Sequence, residues 1–423
     1  MPRTVHIIGA GLAGLSAAIE LTKRGQQVVV HEAGSVAGGR CRSYHDHGLD
    51  MVIDNGNHLL LSGNYAALDF LRSIGSAENL VGPQHAEFRF VDLDSRAEWT
   101  LRFNDGRIPW WIFDALRRVP DTRALDYLSL GRLLWAPRDK PVGEVIRFTG
   151  TIYERLVRPL LLAALNIDPA VGSASLAAAV IRGTLASGGR ACRPLLAREG
   201  LGATLIEPAL AYLAQHQAKV RFGHQLHAMR YSDGRVLALD LGRDTIALAS
   251  DDAVVLAVPP YAAATLVPGL ETPNEFRAIV NAHFRIDPPA EQPLILGVLN
   301  ATIEWVFAFP GRISVTISAA DRLLDMPRET LAQKIWSEVA TVTGLPPALP
   351  PWQIVRERRA TFAATPEQDA RRPGAATAWR NLFLAGDWTD TRLPATIESA
   401  IRSGVRAAAL AAGSGPAHDP KTV

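Results

Sequence analysis

Gly9, Gly11 and Gly14 follow the apolar run Val5 to Ile8 in the order Gly-x-Gly-x-x-Gly. Glycines at this spacing are suited to holding a pyrophosphate. The first permits a tight strand-to-helix turn, the second lets the backbone approach the phosphates, and the third lets the helix lie close to the sheet. The anion then rests on free N–H groups at the helix start, here Leu12 and Ala13, where the macrodipole also favours it. Glu32 ends a second apolar run, Gln27 to His31, 18 residues past Gly14, where a ribose hydroxyl needs its acceptor. Near the other end of the chain stand Gly386-Asp387-Trp388-Thr389 and Pro394-Ala395-Thr396-Ile397-Glu398. Gly386 admits a ligand to the backbone, and Asp387 is placed to accept from a ribityl hydroxyl or to bind a phosphate-side donor. The first N–H groups of the following helix, at Thr396 and Ile397, are expected to face the flavin N1–C2=O edge, stabilising the anionic reduced ring. The expected cofactor is therefore FAD, clamped from both ends of the chain.

The elements that must position these residues follow from periodicity. Val5 to Ile8 reads as a buried strand, Leu12 to Leu21 as a helix, and Gln27 to His31 as a second strand. Two short strands are expected within 85–104, and a helical lobe near 109–190. The region from Gly200 to Pro260 returns to the pattern of a nucleotide-binding domain. It holds a helix over Leu205 to His216, a strand over Lys219 to Phe222, two strands within Met229 to Ala249, and a buried strand to Val258. Strands follow at Leu294 to Leu299, Glu304 to Phe309 and Ile313 to Ile317, then helices at Glu329 to Thr343 and Thr396 to Ala411. The fold class is α/β, α+β over the whole chain: a Rossmann-like FAD-binding domain with a discontinuous substrate domain of mixed sheet plus helical lobe. The FAD-binding domain is expected to comprise 1–82, 200–262 and 375–412. The substrate domain takes 83–199 and 263–374, and 413–423 forms a flexible Gly/Pro/Ser-rich tail.

Composition narrows the function classes. The 423 residues, 48% of them hydrophobic, suffice for two cores. A net charge of +2 with no long block of one sign gives no footprint for nucleic acid. Arginine supplies 39 of the 44 basic residues, a skew that fits a GC-rich bacterial genome. Cys41 and Cys192 have neither a disulfide-framework pattern nor metal-ligand spacing, so no metal is expected and a reducing cytoplasm fits. No apolar run reaches about 18 residues, so the chain is expected to be soluble or to sit on a membrane surface.

The loop Ala33-Gly34-Ser35-Val36-Ala37-Gly38-Gly39-Arg40 resembles the Gly-Gly-Arg loop of the amine oxidase and phytoene desaturase superfamily of FAD enzymes. Gly38 and Gly39 let the main chain lie against a planar or charged group, and Arg40 offers a cationic fork. In that superfamily, a segment like Asp54-Asn55-Gly56-Asn57-His58 runs beside the isoalloxazine ring. This implies cofactor contacts from Gly56 and Asn57, to which Leu226 is added. Longer stretches resemble one branch, the hydroxysqualene dehydroxylases. They are Asp54 to Gly63, Arg158-Pro159-Leu160-Leu161-Leu162-Ala163-Ala164-Leu165-Asn166, Ile279-Val280-Asn281-Ala282-His283-Phe284, Arg359 to Pro366, and Gly386 to Thr389 through Leu393 to Glu398. One departure is Asn57, where that branch is expected to carry glutamine; the amide is kept and its reach shortened.

This resemblance implies reductive removal of the allylic hydroxyl of hydroxysqualene to give squalene, a step of squalene and hopanoid biosynthesis, with an external electron donor for FAD. Hydroxide leaves poorly, so an acid must protonate it as the C–O bond breaks. Asp54, His58 and His283 are the candidate acids, each with an ordinary structural role as its alternative. A carotenoid-type desaturase or isomerase would share the cofactor and an apolar substrate. A flavin amine oxidase would place a lysine on the substrate-domain sheet, and Asn281 to Pro310 contains none. A non-catalytic prenyl-binding protein of the GDP dissociation inhibitor type would leave the phosphate motif unexplained and be colourless. Ile108-Pro109-Trp110-Trp111-Ile112-Phe113, with Arg107, Arg117 and Arg118 nearby, has the composition of an interfacial anchor. The expected location is the cytoplasm, at the inner face of the cell membrane.

Overall fold

The computed structural model describes residues 3–147 and 149–413; most of the expected tail, 414–423, lies outside the described residues. Five strands far apart in sequence form one parallel sheet, in the order Lys219–Phe222, Gln27–Glu32, Thr4–Ile8, Ala253–Leu256, Leu382–Leu384. Their side chains are buried on both faces at the centre, as a sheet covered on both sides requires. The helix Leu12–Lys23 packs on this sheet and against the final helix, Ile397–Ala411.

Two glycines make the first turn possible. Gly9 has φ +105°, and a Cβ there would sit 2.5 Å from the Ala257 carbonyl oxygen. A Cβ on Gly14 would fall 1.9 Å from the Gly9 carbonyl oxygen, so helix and turn touch backbone to backbone.

A second, seven-stranded sheet runs in the order Trp352–Phe362, Phe276–Arg285, Arg312–Ile317, Trp305–Phe309, Ile295–Leu299, Glu87–Asp92, Glu98–Arg102. It is antiparallel except where Ile295–Leu299 pairs with Glu87–Asp92. Its two longest strands, Phe276–Arg285 and Trp352–Phe362, were not delimited by sequence periodicity. The second contains Arg356-Glu357-Arg358-Arg359, whose charges mask the alternation. The segment 228–247 forms three antiparallel strands where two were expected, because Gly242 allows a further turn. The helix expected from Leu205 is wound loosely over Gly202–Ile206 and becomes regular over Glu207–Gln215.

Short helices between Trp110 and Cys192 form a lobe packed against Phe90, Trp99, Leu101 and Phe103. Trp111 belongs to that core: it is 3% exposed and meets Phe103 and Tyr127 edge-on. This corrects the expectation that both tryptophans contact a membrane. The indole of Trp111 fills the space under the lobe, whereas Trp110 is 63% exposed.

Candidate active site

A cavity of about 850 Å³ lies between the two sheets. Gly9, Gly11, Leu12, Ala13, Glu32, Gly38, Gly39, Arg40, Gly56, Asn57, Leu226, Gly386, Asp387, Thr396 and Ile397 all line it. Gly14 does not; it acts on the cavity through helix packing.

The walls at this end are mostly main chain. Gly38 N–H donates to the Ala10 carbonyl at 2.8 Å, bringing the glycine loop against the first turn. A Cβ on Gly11 would meet no atom within 4 Å. That leaves a backbone-lined hollow at a helix start, which fits a pyrophosphate. Glu32 accepts from Ala10 N–H at 2.8 Å and Gly34 N–H at 2.7 Å, so it braces both loops while facing the cavity. These features fit an adenine dinucleotide with Glu32 at the ribose and His224, Gln225 and Leu226 beyond it.

The two signatures meet in one ion pair. Arg40 donates to Asp387 at 2.6 Å and to the Ala360 carbonyl at 2.6 Å. Behind Asp387, the fully buried Arg372 guanidinium pairs with Asp369 at 3.0 Å and donates to the Asp387 and Thr389 carbonyls. Trp388 Nε1 donates to the Val258 carbonyl at 2.9 Å. Arg372 therefore sets the shape of the closing loop. An isolated arginine carries no motif, so this role is not legible in the sequence.

Away from the glycine loops and the charged side chains Arg42, Glu357, Arg359, Glu398 and Arg402, much of the lining is apolar, with Phe88, Phe103, Leu160, Val180, Ile279 and Phe307 prominent, and a polar strip crosses it. Asn57 Nδ2 donates to Thr316 Oγ1 at 3.1 Å and to the Val315 carbonyl at 3.2 Å. Thr316 Oγ1 donates to Asn281 Oδ1 at 2.8 Å. Ser318 continues the strip beyond the strand, and Asn166 Nδ2 reaches Thr361 Oγ1 at 2.9 Å. The shortened amide at Asn57 thus holds the flavin-side loop to the second sheet.

The three candidate acids separate. His58 lines the cavity; burial and then Arg40 push its imidazole down to about 4, so it is neutral at pH 7. Asp54 is not on the cavity: its carboxylate accepts from the Ser43 hydroxyl and from Leu201 N–H at 2.9 Å. His283 is fully buried and bonded to Ser314 Oγ at 2.9 Å, and burial pushes it down to about 3. The hairpin Ser43–Asp46 with Met51–Asp54 covers this end of the strand. Asp54 and His283 are therefore corrected from candidate acids to structural residues. Within the segment Ile279 to Phe284, Asn281 is the polar side chain that reaches the cavity. Period-two alternation puts 279, 281 and 283 on one face, but it does not show where a covering hairpin begins.

Comparisons with known proteins agree with this geometry. The family described as flavin containing amine oxidoreductase matches residues 12–412. The chain is similar to the hydroxysqualene dehydroxylase of Rhodopseudomonas palustris, 59% identical over 99% of this chain and 100% of that protein. It is also similar to that of Sinorhizobium fredii, 57% identical over 97% of this chain and 99% of the relative. Among solved structures, cyclohexylamine oxidase from Brevibacterium oxydans superposes with a TM-score of 0.70 at 16% identity, covering 98% of this chain and 99% of that one. That likeness concerns the fold.

Proposed function

The chain belongs to the hydroxysqualene dehydroxylases, a branch of the flavin containing amine oxidoreductases, and from that membership we infer that it reductively removes the allylic hydroxyl of hydroxysqualene to give squalene. It is an FAD-dependent oxidoreductase. The observation that carries the substrate reading is the apolar cavity crossed by the strip Asn57, Asn281, Thr316 and Ser318. A long hydrocarbon chain needs the first, and a single hydroxyl needs the second.

FAD, once bound and reduced, would supply the hydride. The chain's own residues do the rest. The Gly11 hollow and Glu32 hold the dinucleotide, and Arg40 with Asp387 locks the two loops around it. Apolar walls exclude water, which strengthens each polar contact on the strip. Ser318 offers its hydroxyl to the departing oxygen, while Thr316, which donates to Asn281 and accepts from Asn57, keeps the strip in place. The decisive experiment is anaerobic incubation of dithionite-reduced protein with hydroxysqualene, with products read by mass spectrometry. Squalene is the expected product; unchanged substrate with the flavin still reduced would refute the reading.

The reductant that reloads FAD is proposed to be an external electron donor. We also propose peripheral attachment to a lipid surface, at the inner face of the membrane, since the substrate dissolves in lipid. Among the described residues, no helix is long and apolar enough to cross a membrane. Exposed large apolar side chains gather in the lobe instead: Ile108, Trp110, Phe113, Leu116 at 87%, Leu125, Leu128 and Trp135 at 82%. Arginines 107, 117, 118, 123 and 132 are interspersed, a composition suited to the headgroup boundary. Changing Trp110, Leu116 and Trp135 together to serine is expected to lower affinity for anionic vesicles by about 10³-fold or more, since three apolar side chains at ~1.5–3 kcal/mol each are lost, so that co-sedimentation largely disappears. The flavin spectrum is expected to stay unchanged. Unaltered sedimentation would remove this segment as the anchor.

A further inference from the structure

With Asp54 and His283 away from the cavity and His58 neutral at pH 7, none of the three expected acids is placed to protonate the departing hydroxyl, and the polar strip itself offers a donor. Ser318 lines the cavity two residues beyond Thr316 and is 3% exposed. Its backbone N–H donates to Glu304 Oε2 at 2.9 Å, and its hydroxyl also bonds that carboxyl. Next to it, Asn166 Oδ1 accepts from Ala319 N–H at 2.7 Å, which fixes the turn. Glu304 is itself held in place, its carbonyl accepting from Val298 N–H at 2.8 Å. The carboxyl thus stands one hydroxyl away from the cavity while its residue remains partly open to solvent.

Resting on the dehydroxylation reading, we propose that Ser318 passes a proton to the leaving hydroxyl and that Glu304, acting through Ser318, is its source. The C–O bond breaks with both electrons going to oxygen. That oxygen takes the Ser318 proton and departs as water, while Ser318 takes the Glu304 proton. The carbon receives the hydride supplied by the reduced cofactor, so alcohol, hydride and proton become hydrocarbon and water. Glu304 is left as a carboxylate, stabilised by Ser318 N–H and by the facing charges of Arg322 and Arg158. Solvent then returns its proton.

The electrostatics agree with this geometry. Burial pushes the Glu304 carboxyl up to about 7, so it carries a proton where an ordinary glutamate carries none.

The test uses the full chain loaded with FAD, as wild type, Glu304→Gln, Glu304→Asp and Ser318→Ala. In infrared spectra of unreacted protein, a protonated-carboxyl band is expected to titrate near pH 7 and to be missing in Glu304→Gln. In anaerobic single turnovers with hydroxysqualene, wild-type flavin reoxidation is expected to slow as pH rises through about 7. Glu304→Gln and Ser318→Ala are expected to lose about 10²-fold with FAD retained, and Glu304→Gln to lose the pH dependence. Glu304→Asp is expected to recover part of both rate and profile. Parental rates and profile in Glu304→Gln, or no titrating band, would overturn the proposal alone. Wild-type protein inert toward hydroxysqualene would overturn the dehydroxylation reading and this proposal with it.

Discussion

Gly11→Trp is expected to yield a folded, colourless protein, whereas Gly14→Ala is expected to compromise folding itself. The two glycines lie three residues apart in one motif, yet the structure asks different things of them. Gly11 has φ −74° and ψ 176°, an extended conformation any residue adopts, and a Cβ there meets nothing within 4 Å. A tryptophan at that position occupies the hollow at the helix start without straining the backbone. The pyrophosphate and the indole then compete for one space, and flavin retention falls below detection. At Gly14, a Cβ falls 1.9 Å from the Gly9 carbonyl oxygen, which belongs to the turn itself. Relief requires moving the helix off the sheet, at a cost of about 3 kcal/mol or more. Absorbance bands after purification read the first effect, and thermal melts by circular dichroism read the second. Full flavin content in Gly11→Trp would show that the hollow does not hold the phosphates.

That contrast also explains which parts of this molecule are legible in sequence. The close approach of Gly14 to Gly9, the Leu12–Lys23 helix and the Glu32 acceptor depend on neighbours within about 30 residues, so spacing alone exposes them. The seven-stranded sheet depends on pairings such as Phe276–Arg285 with Trp352–Phe362. No local pattern marks those pairings, and the arginines of the second strand disguise it. The acids show the same limit. Asp54, His58 and His283 have the right chemistry, but only His58 reaches the cavity: the hairpin 43–54 covers His283, and Asp54, at the end of that hairpin, turns its carboxylate to Ser43 and Leu201. Glu304 carried no signal, since a glutamate before a strand is ordinary; its position behind Ser318 exists only once the sheet is built. Trp111 and Trp110 are adjacent in sequence, yet one fills a core and the other faces out, as a tight helical turn requires.

Ala164→Phe is expected to lower kcat/KM for hydroxysqualene by about 10²-fold while leaving FAD binding and the flavin spectrum unchanged. Ala164 lies on the helix Arg158–Leu165 and lines the apolar part of the cavity with Leu160, Ala163 and Val180. A phenyl ring placed there displaces roughly one isoprenoid unit, about four buried CH₂ equivalents at ~0.8 kcal/mol each. That loss of ~3 kcal/mol corresponds to the stated factor. A short allylic alcohol that does not extend past Leu160 has no such contact to lose, so its kcat/KM is expected to change less than about threefold. The ratio of the two effects is the diagnostic quantity, because a general loss of folding or flavin would lower both together. If the substitution left hydroxysqualene turnover intact, the hydrocarbon chain would have to lie along another wall. If it slowed both alcohols equally, the change would be acting at the polar strip near Thr316 and Ser318, and the apolar walls would not be what selects a long polyprenoid.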